Sequence, residues 1–152
     1  VHSGHGDAEA ALAAFYDKWK DEDLVIDKWF SIQATAPQPA VLDRLEELRQ
    51  HPAFTLRNPN RLRALVGAFA QLNQVRFHDA SGRGYAFLRR QVQELDTINP
   101  QVAARILAPL GRWQRHDPAR QEMMRGELEV LLRLPNLSRD VYEVVTKSLG
   151  AL

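Results

Sequence analysis

Almost every stretch of this chain repeats its apolar residues at the spacing of one helix face, and no run alternates as a half-buried strand would. Leu12, Phe15, Tyr16 and Trp19 fall at i, i+3, i+4 and i+7. Val25, Trp29 and Ile32 follow, with Ile26 and Phe30 widening the stripe. The same spacing returns in Val41, Leu42, Leu45 and Leu48, then in Leu62, Leu65, Val66, Phe69 and Leu72. It continues through Tyr85, Leu88, Val92 and Leu95, then Val102, Ile106, Leu110 and Trp113. Met124, Leu128 and Leu131 carry it on, and Val141, Val144, Val145 and Leu149 end it. A helix with one apolar stripe must bury that stripe against another element. With only helices available, the chain is predicted to be all-α, helix packed on helix.

Punctuation between the stripes agrees. Asn58-Pro59, Asn99-Pro100 and Asp117-Pro118 each set a capping side chain before a proline, the signature of a helix start. Pro109 falls inside a stripe and predicts a break there. "HDASGRGY" at 78–85 reads as a glycine-containing loop. Most connections are short, which predicts antiparallel neighbours. The two Asn-Pro starts lie 41 residues apart, the size of a two-helix repeat, although their side chains match poorly. "VHSGHG" at 1–6 reads as a flexible tail ahead of a single helical domain over 7–152. His2 and His5 lack a third ligand and make no metal site.

The 152 residues are enough for one domain with a proper core. No apolar run approaches the roughly 18 residues of a membrane span. The start of the chain lacks the layout of a signal peptide. The absence of cysteine excludes disulfides, thiolate metal sites and cysteine nucleophiles, and fits a reducing compartment. The expectation is a cytoplasmic protein that does not engage membrane.

A net charge of +1 hides an uneven distribution. Residues 1–50 sum to −5, residues 57–120 to +7, and residues 121–152 to −1. All the basic residues of the middle segment are arginines, whose planar fork suits carboxylate and phosphate. In "LRNPNRLR" three of them, Arg57, Arg61 and Arg63, crowd a helix start that should favour acids. The plain explanation is solvated helix faces rich in arginine; the alternative is a local anion-attracting surface. Nucleic-acid binding is not expected, because no helix-turn-helix or RNA-binding motif accompanies the arginines.

Catalytic chemistry is hard to find. HExxH, the G-x-S-x-G elbow and the P-loop are all missing. His78, beside the glycine loop, reads as a structural histidine. Glu46 and Glu47 are adjacent on one helix and point apart, so they make a poor acid–base pair. No catalytic residue and no metal ligand is assigned to this chain.

Several stretches nevertheless form a recognisable set. These are "DKWFSIQA" at 27–34, "HPAFTLRNPNRLRALVGAFAQLN" at 51–73, "FHDASGRGYAFL" at 77–88 and "NPQVAARILAPL" at 99–110. "RQEMMRGELEVL" at 120–131 and "NLSRDVYEVVTKSL" at 136–149 complete it. In order and spacing they resemble the C-terminal helical domain of bacterial aminopeptidase N, a gluzincin-class zinc enzyme. The resemblance implies an α-α superhelix of antiparallel helix pairs, armadillo- or HEAT-like. It implies a lid over the active-site cavity of an enzyme that removes N-terminal residues, alanine among them, from peptides. The zinc and its HExxH motif, with the Gly-x-Met-Glu-Asn motif, would belong to a catalytic domain of the same polypeptide. No cofactor is assigned to this chain itself.

By the same resemblance Arg63 and Arg105 would face the enclosed cavity. Set near helix N-termini, they would draw the carboxylate end of a bound peptide. Salt bridges to the catalytic domain are the other reading of these two arginines. A freestanding helical-repeat module that binds peptides or proteins is the alternative for the whole chain.

Overall fold

A computed structural model describes residues 5–150, with side chains from residue 7 onward. Helices α1 (His5–Trp19), α2 (Asp23–Ala34) and α3 (Val41–Arg49) come first. α4 (Pro59–Leu62), a π-helical turn (Arg63–Gly67) and α5 (Ala68–Leu72) run on without interruption, followed by α6 (Gln74–Phe77). The second half holds α7 (Arg83–Asp96), α8 (Pro100–Ile106), α9 (Ala108–Gly111), a 3-10 turn (Trp113–Arg115), α10 (Pro118–Leu132) and α11 (Arg139–Leu149). No strand occurs among the described residues, so the all-α expectation holds. Of the tail read at 1–6, residues 1–4 lie outside the described residues, and α1 already begins at His5.

The Asx-Pro joints are helix starts, as their chemistry predicts. Asn58 accepts from the backbone N–H groups of Asn60 and Arg61, Asn99 from Val102, and Asp117 from Arg120. Each satisfies a donor that has no partner within its helix. At Pro109 the helix stops after Ile106 and restarts as α9, with the proline in its first turn. Asn73 is a joint that no proline announces. Its carboxamide oxygen caps α6, while its nitrogen donates to the carbonyls of Ala34 (3.0 Å) and Ala36 (2.8 Å). That ties the start of α6 to the end of α2.

One continuous core runs from Ile26 to Val145. α2 lies between α3 and the π turn, α7 packs on α8 and α10, and α11 on α8 and α10. α1 rests on α2, with Trp29 Nε1 donating to the Leu12 carbonyl at 2.9 Å, yet none of its described side chains is buried.

Three stripe residues point outward: Phe15 is 40% exposed, Ile32 60% and Leu72 71%. On α2 the inward positions are Ile26, Trp29, Phe30, Gln33 and Ala34. Gln33 takes the place expected of Ile32, because its amide donates to the Trp29 carbonyl and accepts from Arg44 Nε. Leu72 is displaced by the π turn, which takes more residues per revolution and carries the downstream stripe past it. In that turn the Ala68 N–H reaches back to the Arg63 carbonyl. The Ala64 carbonyl, its usual partner, accepts from Ser31 Oγ at 2.8 Å instead.

Candidate functional site

The arginines crowding the start of α4 separate into different roles. Arg61 is buried. Its Nε donates to Asp27 Oδ1 (2.6 Å), its Nη1 to the Ala53 carbonyl (2.5 Å), and its Nη2 to Asp23 Oδ1 (3.4 Å). The guanidinium also lies 5.5 Å from the ring centre of Phe30. The acids missing around this helix start are supplied by α2, one helical turn apart. Arg61 is therefore a clamp between elements, with its charge neutralised in place.

The same pattern recurs in Arg83, Arg89 and Arg90 of the basic middle segment, and in Arg49 just before it. Arg83 meets Asp43 (3.0 Å), Arg90 meets Glu46 (2.8 Å), Arg49 meets Glu94 (2.6 Å) and Arg89 meets Glu127 (2.9 Å). These pairs tie α7 to α3 and α10. Asp23, Asp27, Asp43 and Glu46 of the acidic first third are matched to the basic middle across helix boundaries.

Arg57, Arg63, Arg105, Arg112 and Arg115 have no carboxylate partner among the described residues. Both sequence candidates belong to this set. Arg63 is exposed and donates from Nη2 to Asn60 Oδ1 at 2.7 Å. It opens the π turn, one turn beyond the Asn58 cap. Arg105 is exposed in the last turn of α8, at the negative end of that helix. Placement at a positive helix end, expected for both, therefore fails for Arg105. No hydrogen bond links the two side chains among the described residues.

His78 sits as a structural histidine would. Its Nδ1 lies 2.7 Å from Tyr85 Oη, its ring centre 4.3 Å from that of His116, and its carbonyl accepts from Arg120 Nε at 2.8 Å. Burial first, then the neighbouring His116 and Arg120, pulls its pKa down to about 4. Burial pushes Tyr85 up to about 12. Neither group is poised to exchange a proton near neutral pH. Glu46 and Glu47 diverge as expected, the first to Arg90 and the second to Arg44. No group of three or more metal-ligating side chains is found among the described residues.

Sequence reasoning missed the Arg61 clamp and the Asn73 joint. The one available signal was Asp27, an acid set inside the apolar stripe of α2 between Ile26 and Trp29.

A family model described as a domain of unknown function (DUF3458_C) with ARM repeats matches residues 1–150. The chain is 49% identical over 142 residues to aminopeptidase N of Caulobacter vibrioides, and equally so to that of Escherichia coli. Each match covers 93% of this chain and 16% of the relative. The crystal structure of Legionella pneumophila aminopeptidase A in complex with aspartic acid is similar at a TM-score of 0.90 and 35% identity. That match covers 97% of this chain and 17% of the other.

Proposed function

The chain belongs to the DUF3458_C family of ARM-repeat domains, and from that premise we propose that it serves as the C-terminal lid of a cytoplasmic zinc aminopeptidase. The observation that carries the reading is 49% identity to aminopeptidase N along a stretch that is only 16% of that protein's length. Identity that high over nearly the whole of this chain supports reading it as one part of a longer polypeptide. The peptide chemistry, the zinc and the grip on the substrate amino group then belong to the catalytic domain of the same polypeptide. This chain closes the cavity and helps to sort what enters.

Two features support a surface made to meet a partner. Ile32, Leu72 and Val75 are exposed and lie close in sequence to the two sides of the Asn73 joint. The unpaired arginines are the second. In a protein that matches most of its guanidinium groups internally, charges left open are available to something outside the chain. A peptide held at its amino end by the catalytic domain extends its carboxylate away from the zinc, and Arg63 and Arg105 are the side chains proposed to receive it.

No helix among the described residues is long and apolar enough to cross a membrane. The substrates proposed are short peptides with broad first-residue preference, alanine included.

The test is kinetic and uses the full-length enzyme. Arg63→Ala and Arg105→Ala should each raise KM for tripeptides with a free carboxylate by about tenfold, the worth of one charge-assisted contact. KM for an uncharged alanine anilide should stay within about twofold. Equal changes for both substrates would overturn the carboxylate role.

A further inference from the structure

A cavity of about 290 Å³ opens where α5 and α6 meet the turn after α9. Its polar wall is Gln74, His78, Arg112, Arg115 and His116, with Ala70 and Pro109 completing it. We infer that this cavity binds a small oxyanion, a carboxylate or a phosphate, gripped by Arg112 and Arg115.

Charge is the first argument. Every ionisable group in the lining is cationic or an imidazole, and no acid lines it. Arg112 and Arg115 have no carboxylate partner among the described residues, whereas most arginines of this chain do. The nearest acid in sequence, Asp117, is already committed: Oδ1 accepts from Arg120 Nη1 (3.0 Å) and Oδ2 from the Arg120 N–H (3.2 Å). Two guanidinium groups lining one cavity repel one another until an anion comes between them. An oxyanion presents to each guanidinium the acceptor geometry it is shaped for.

Rigidity is the second argument. The 3-10 turn that carries Arg115 is fixed from several sides. Gln121 Nε2 donates to the carbonyls of Gln114 (3.3 Å) and His116 (2.6 Å). Trp113, at the head of the turn, is buried and anchors its Nε1 on the Ser148 carbonyl at 2.9 Å. His78 is held by Tyr85. The backbone positions that carry the cations are set before any ligand arrives, which limits the ordering cost of binding. Size is the third. The cavity is at the small end of ligand sites, which suits a compact anion or the end of a chain.

This inference concerns the chain's own cavity and stands apart from the lid reading. The test follows the His78 and His116 Cε1–H resonances of the 152-residue chain during titration with inorganic phosphate or with succinate. Ionic strength is held constant with chloride. Saturating shifts at roughly millimolar concentration are expected for at least one of the two. Saturation by phosphate alone assigns the site to phosphates, and by succinate alone to carboxylates. Arg112→Gln combined with Arg115→Gln should weaken binding by about tenfold or more. Arg57→Gln removes an exposed, unpaired charge outside the cavity and should change the affinity by less than about twofold. Shifts that stay linear with both anions up to about 50 mM would overturn the inference. So would equal weakening by Arg57→Gln, which would mark a response to net charge alone.

Discussion

Arg61 shows how one side chain resolves a local conflict by reaching far along the chain. A cation in the first turn of a helix opposes the helix dipole. Here the cation points away into a niche made by Asp27, the Ala53 carbonyl and the face of Phe30. Removing it leaves the largely buried Asp27 carboxylate without its partner. Arg61→Ala should therefore cost about 3 kcal/mol in urea unfolding. Arg61→Lys should recover only part of that loss, because an ammonium cannot bond Asp27 and Ala53 through two fork positions. The residues of the clamp were visible in the sequence, but their pairing was not. Arg61 and its two acids are 34 and 38 residues apart, and spacing rules compare only neighbours within a turn or two. Arg63 and Arg105 were legible as exposed arginines. The helix end on which Arg105 stands was not, because that depends on where Pro109 forces α8 to stop.

Between elements, legibility follows the range of the forces involved. The Asx-Pro starts could be read because an N-cap is decided within four residues. The π turn could not, because its freed Ala64 carbonyl is satisfied by Ser31 on another helix. The corner between α6 and α7 was legible only as a glycine-containing loop, and the structure assigns its two glycines separate tasks. Gly82 takes the left-handed conformation at φ 78° and caps α7. Gly84 lets α7 press on the end of α6, where an added Cβ would meet the Phe77 carbonyl oxygen at 2.3 Å. That obstacle is backbone and cannot swing aside. Gly84→Ala should lower stability by roughly 3 kcal/mol, measured as the drop in urea midpoint with unchanged slope.

The molecule as a whole is held by one core, although repeat architectures allow their ends to unfold separately. Trp29 sits in that core in the first half of the chain and Trp113 in the second. With Trp19→Phe combined with either Trp29→Phe or Trp113→Phe, so that one tryptophan remains, the urea midpoint by its fluorescence should match that by helical circular dichroism within about 0.2 M. A split in either variant would mark two unfolding units. Fold class was legible at this scale because apolar period alone excludes a sheet. The matching of charge between segments was not, since it exists only once helices distant in the chain are packed together. That matching also bears on how the chain is made. A fragment running from residue 57 to the end would carry a net charge of +6. Such a polycation would adhere to the ribosomal RNA beside which it emerges. Synthesis runs from the N-terminal side, however. Asp23, Asp27, Asp43 and Glu46 leave the ribosome before Arg61, Arg83 and Arg90, so each arginine is born into the company of its own counter-ion.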